Sequence, residues 1–185
     1  AIASTQGTFF PTGVRGFDQG GHIPTTYQWN FSIQRQLPWQ SLFEVGYVAN
    51  IGRHLLSQTN LNAVPLGTTW TQAAVDPTNN GLLNTNFYRP YTGYGSLNVT
   101  GFGATSSYHS LQASWNRNLG RSTFGVAYTF SKTLGLVNGD QDQAHPFNAR
   151  KASYGLLPFD VPHNLVFNYV YDVPKAARGG NFLDN

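Results

Sequence analysis

A chain of 185 residues is long enough for one domain with a real core and too short for two comfortable ones. Charged residues make up only 10% of it, against roughly 25% in soluble domains, while aromatics reach 15%, so its polarity comes from Asn, Gln, Ser, Thr and Gly. The net charge of +3 is scattered and forms no basic stripe, which argues against nucleic acid, and the absence of Cys excludes a disulfide framework, a thiol nucleophile and a Cys-based zinc site.

Met is also absent, position 1 included, so the sequence reads as processed or cut from something longer. Ala1–Gly7 lacks the basic start and apolar run of a secretory signal. No run of about 20 apolar residues occurs, which excludes a transmembrane helix but leaves open transmembrane strands of about 9–11 residues.

Residues 1–24 carry no helical period and are expected to form a loop-like lead. From Thr25 the sequence alternates. Tyr27, Trp29, Phe31 and Ile33 share one face of a strand, while Gln28, Asn30, Ser32 and Gln34 share the other. A tight turn at Leu37-Pro38-Trp39-Gln40 leads into a return strand with Trp39, Phe43, Val45 and Tyr47 on one face and Leu42, Glu44, Gly46 and Val48 on the other.

From Ile51 to about Thr105 the chain reads mostly as loop, with a short extended piece within Leu55–Val64, one or two helical turns within Thr69–Val75, and a strong turn cluster at Asp76–Gly81. The Gly-rich stretch from Gly93 to Gly103 reads as a flexible lead into the next strand.

A second hairpin is expected from about Ser106 to about Lys132. His109, Leu111, Ala113 and Trp115 share a face, the turn lies at Asn118-Leu119-Gly120-Arg121, and Phe124, Val126, Tyr128 and Phe130 alternate with Gly125, Ala127 and Thr129. His109, on the aromatic face, reads as an interfacial residue. Phe43–Tyr47 and Phe124–Tyr128 match in pattern, Phe-x-Val-x-Tyr in each. A second long loop, about Thr133 to Val161, precedes a final strand from Pro162 to about Val173, and 175–185 is a tail.

The order is strand, tight turn, strand, long loop, repeated. That segregation of loop lengths predicts an all-β fold of antiparallel hairpins, short turns on one side and long loops on the other, within the wall of an outer-membrane β-barrel. A soluble β-sandwich or small barrel is the alternative, since it too needs a period-two apolar face. The hairpins 25–174 and their flanks are taken as one domain, 1–185. Bacterial barrels close with an even strand number of about eight or more, so five strands read as a segment of a larger wall, with edges prone to self-association.

Tyr27–Arg35 with the turn at Pro38, Glu44–Val48, Arg89–Gly95, Ser107–Gln112, Tyr128–Lys132 and Phe159–His163 followed by Tyr169–Pro174 together resemble the barrel of TonB-dependent receptors. More narrowly, they are similar to the Oar-like acidobacterial group with a carboxypeptidase-regulatory-like domain at the N-terminus. The resemblance covers about residues 25–174. It implies a bacterial outer-membrane location, contact with membrane lipid, a TonB-type energising system acting on the full-length parent, and uptake or binding of a nutrient such as a glycan, peptide or metal chelate. The sequence holds no plug, TonB box or regulatory domain, so it reads as a C-terminal barrel segment. No cofactor is implied.

For ligand contact the loop residues Trp70, Tyr88, Arg89, Tyr91 and Tyr94 stand out, because rings on loops can stack on sugars or other flat molecules. For the alternative, a soluble hydrolase or metal-dependent enzyme, the candidates are Ser153, His163 and Asp160 as a triad and Asp140, Asp142 and His145 as N/O metal ligands. No G-x-S-x-G or HExxH pattern supports either.

Overall fold

The computed structural model describes residues 12–71 and 74–173. Its strands are β1 (Thr12–Phe17), β2 (Thr25–Leu37), β3 (Ser41–Asn60), β4 (Tyr94–Leu119), β5 (Ser122–Gly135), β6 (Gly155–Leu156) and β7 (His163–Tyr171). One short helix, α1 (Ala149–Ser153), precedes β6. Among the described residues the strands run in the order β2-β3-β4-β5-β6, with β1 also pairing β4 and β7 also pairing β5. The tail 175–185 lies outside the described residues.

The described residues fall into two compact units. The hairpin unit comprises Trp29–Ala49, His109–Lys132 and the segment from Val161; the loop unit comprises the segment ending at Gln28, Asn50–Tyr108 and Thr133–Asp160.

In the hairpin unit the two-faced reading holds. The antiparallel register sets Phe124 opposite Tyr169, Val126 opposite Phe167 and Tyr128 opposite Leu165, and between them Gly125 opposite Asn168 and Ala127 opposite Val166. Directly opposed residues share a face, so one side of this pair is mostly aromatic, while the other carries small residues and asparagines interrupted by Val166 and Val170. A Cβ at Gly125 would run into the side-chain amide oxygens of Asn168 and Asn116. Glycine is what admits those two amides to the polar face. Trp115 meets Phe124 edge-on at 5.0 Å, and the Arg117 guanidinium lies over the same Phe124 ring at 5.9 Å.

The apolar face carries no second layer of described residues. Phe31 and Phe167 are each 66% exposed, and Ile33, Phe130, Leu165 and Tyr169 are also exposed. A soluble sandwich would seal these rings between two sheets. The described residues do not form the alternative sandwich, because those that would make its core are exposed.

One hairpin detail differs from expectation. Trp39 does not lie on the return strand. It occupies the turn with φ 61°, followed by Gln40 at φ 53°. Two successive positive φ values are what a tight turn matched to strand twist requires, and the Ser41 hydroxyl closes the turn by donating to the Pro38 carbonyl at 2.9 Å.

The loop unit holds more regular structure than the sequence predicts. β3 continues to Asn60 and β4 begins at Tyr94, so the expected loop 51–105 shrinks at both ends. The expected lead 1–24 contains β1, paired in parallel with β4 through Thr12↔Tyr94 and Phe17↔Thr100. The Gly-rich stretch expected to be flexible is strand. A Cβ on Gly95 would stand 3.2 Å from the Thr12 carbonyl carbon, so glycine there lets β1 approach. One or two helical turns are expected at 69–75; among the described residues a 3-10 turn forms at Thr68–Trp70. The second long loop folds too. Leu136, Ala144 and Ala104 form a small core against Leu55, Val137, Ala149 and Tyr154.

Candidate functional site

The loop candidates Tyr88, Arg89, Tyr91 and Tyr94 gather around a residue the sequence did not single out, Asn62, which is 0% exposed. Its side-chain amide nitrogen donates to the carbonyls of Tyr91, Tyr94 and Gly95 at 3.0, 3.1 and 2.8 Å. Two hydrogens serve three acceptors, so one bond is shared. Its Oδ1 accepts from the Tyr91 N–H at 2.8 Å. The Arg89 guanidinium donates to the Asn62 carbonyl at 2.6 Å and to Asn86 Oδ1 at 2.9 Å. Arg89 thereby clamps the loop. Tyr91 and Tyr94 keep exposed rings, and the Tyr88 hydroxyl is buried without a hydrogen-bond partner among the described residues. Trp70 stands 89% exposed.

The turn cluster at Asp76–Gly81 closes as expected. Thr78 donates its hydroxyl to Asp76 Oδ1 at 2.6 Å and its N–H to the same oxygen at 2.9 Å. The hydroxyl bond first, and the amide bond second, hold the Asp76 carboxyl below its usual 3.8. A depressed carboxyl stabilises the turn above the unfolded value and loses that contribution as pH falls through the folded one. Exchange at the Thr78 amide should therefore gain protection loss only at the acid end of the carboxylate range. A flat profile down to full protonation would contradict the assignment.

Of the enzyme candidates, Ser153, Asp160, His163, Asp142 and His145 each make hydrogen bonds. Ser153 Oγ accepts from the His145 N–H at 2.9 Å, Asp160 Oδ1 accepts from the Thr133 N–H at 2.6 Å, and His163 Nδ1 pairs with the Tyr128 hydroxyl at 2.7 Å. Asp142 Oδ2 accepts from the Asn138 N–H at 3.0 Å, and His145 Nδ1 accepts from the Asn148 N–H at 3.3 Å. Among the described residues no group of three or more His, Cys, Asp or Glu is placed to hold a metal ion, and the candidates Asp140, Asp142 and His145 form no such group. Short polar side chains in loops bond to nearby backbone more readily than they converge.

The hairpin unit contributes two features. On its apolar face the Tyr47 hydroxyl bonds His109 Nδ1 at 2.6 Å, and the rings lie 6.1 Å apart at 25°. Tyr128 and His163 repeat this at 2.7 Å, 6.2 Å and 24°. The two tyrosines are the last residues of the matching Phe-x-Val-x-Tyr segments. That repeat was the visible signal; its histidine partners, distant in sequence, were not. On the polar face a shallow cavity of about 330 Å³ is lined by Asn30, Ser32, Gln112, Ser114 and Thr129 around a single carboxylate, Glu44.

A sheet of antiparallel hairpins with one exposed aromatic face and one polar face is the construction of a barrel wall. The sequence model of the outer membrane beta barrel domain family matches residues 1–185, and the chain belongs to that family. It is a β-barrel domain of the bacterial outer membrane. No curated protein and no solved structure matches it.

Proposed function

We propose that this chain forms part of the wall of a TonB-dependent receptor of the Oar-like kind, which binds or imports a nutrient such as a glycan, a peptide or a metal chelate. The observation that carries the reading is the register of β5 and β7, which puts Phe124, Phe130, Phe167, Tyr169 and Tyr171 on one face and Gly125, Ala127, Thr129, Asn164 and Asn168, with Val166 and Val170, on the other. A transmembrane strand needs about 9–11 residues, so β7 is the length of one crossing. The aromatic face meets lipid, and the polar face with Glu44 meets a lumen. The Tyr47–His109 and Tyr128–His163 pairs keep polar ring atoms where strands leave the hydrocarbon, as interfacial rings do.

Among the described residues β2 pairs only with β3, and β7 only with β5 and not with β2. Both outer edges suit further wall strands or a neighbouring copy. Exposed rings at Trp70, Tyr91 and Tyr94 suit stacking on a flat or sugar-like ligand, with Tyr88 and Arg89 shaping the loop that presents them. The test is uptake by cells producing the full-length protein, with candidate glycans, peptides and ferric chelates supplied singly. Accumulation of one class that collapses when the energising system is deleted supports the reading. Binding or uptake indifferent to that deletion sinks the TonB-dependent part.

A further inference from the structure

A second cavity, of about 750 Å³, lies wholly within the loop unit, between the residues after β1, the later part of β3, and β4. Its volume falls within the roughly 300–1,000 Å³ of small-molecule sites. Arg53, His54, His22 and Asp18 line it, with Gly101 and Phe102 of β4. The His22 and His54 rings stack at 4.9 Å and 19°.

His54 has φ 54°, inside a strand and without the freedom of glycine. Arg53 and His54 are also two successive exposed residues of β3, and both line this one cavity. Strain of this kind persists where something else requires it. No side-chain hydrogen bond or ion pair among the described residues involves Arg53, His22 or His54 beyond the ring stack. Asp18 is different, since its Oδ1 accepts from the Gly20 N–H at 3.0 Å and holds the loop.

The cavity therefore presents a guanidinium that has no side-chain partner among the described residues, two imidazoles and an apolar ring, with the Asp18 carboxylate at its margin. Guanidinium nitrogens bind carboxylate and phosphate oxygens in pairs. We infer that this cavity is a binding site for a small organic or inorganic oxyanion, a carboxylate or a phosphate, with Arg53 as the principal contact and His54 and His22 as supporting donors. The inference does not depend on TonB-driven uptake, because binding alone reads it out.

The experiment is calorimetric titration of the full chain, refolded in detergent, with succinate and with inorganic phosphate, and with maltose as the neutral control. Saturable binding of at least one anion, weakened tenfold or more by Arg53→Gln, is the expected result. His54→Gly should weaken the same binding while leaving the melting temperature unchanged or raised, since glycine accepts the positive φ. Absence of saturable anion binding overturns the site, as does anion binding that Arg53→Gln leaves intact. Maltose binding as tight as that of the anions overturns the ligand class. A melting temperature lowered by His54→Gly would mean the strained imidazole is there for the fold, and would overturn its role as a donor.

Discussion

Asn62→Leu should release the loop that carries Tyr88, Arg89, Tyr91 and Tyr94, at a cost of about 3 kcal/mol or more. Leucine has the branching and heavy-atom count of asparagine but no hydrogen-bonding group and more bulk, so the change removes the bonds and adds some overpacking. It removes the donor to the Tyr91, Tyr94 and Gly95 carbonyls and the acceptor for the Tyr91 N–H. Each buried group left unpaired costs roughly 1–3 kcal/mol, reduced where water reaches it. Asn62→Asp is the companion. It keeps an acceptor for Tyr91 but turns a carboxylate oxygen toward three carbonyls, and should be no better tolerated than leucine. The measurements are amide exchange at Tyr91 and protease cleavage within 61–93, both expected to rise steeply. Unchanged protection in both variants would show that the Arg89 bonds to Asn62 and Asn86 hold the loop without the side chain.

The hairpins were legible and the loop unit was not, for one physical reason. In Phe124–Phe130 and Leu165–Tyr171 each side chain declares its face, because lipid and water select different residues at alternate positions. In Ile51–Asn60 and Tyr94–Thr105 the strands are held by backbone pairing and short local contacts. Neither segment needs a continuous apolar stripe, so period two fades and glycine reads as loop. Asn62 was invisible for a related reason. Its role depends on carbonyls some thirty positions away, and a buried asparagine looks like any surface asparagine in sequence. Of the loop residues chosen for ligand contact, Arg89 has a second role that its charge does not announce, since its guanidinium ties down the Asn62 backbone.

The sharpest test of the wall itself is Phe167→Arg. Phe167 is the central residue of β7, opposite Val126, and is 66% exposed with no described residue covering it. In water, exchanging an exposed ring for a charged side chain changes stability by no more than about 0.5 kcal/mol. At the midplane of a bilayer the same arginine costs about 2–4 kcal/mol. Val166→Arg, one residue earlier, points to the polar face and should cost about 0–1 kcal/mol, because an open lumen hydrates the charge. The two variants should therefore diverge in urea-titrated folding into lipid vesicles, with Phe167→Arg severely impaired and Val166→Arg close to the parent. Equal effects would mean that both faces see the same solvent. The reverse order would place the aromatic face inside and the polar face against lipid, which no barrel wall of this pattern can survive.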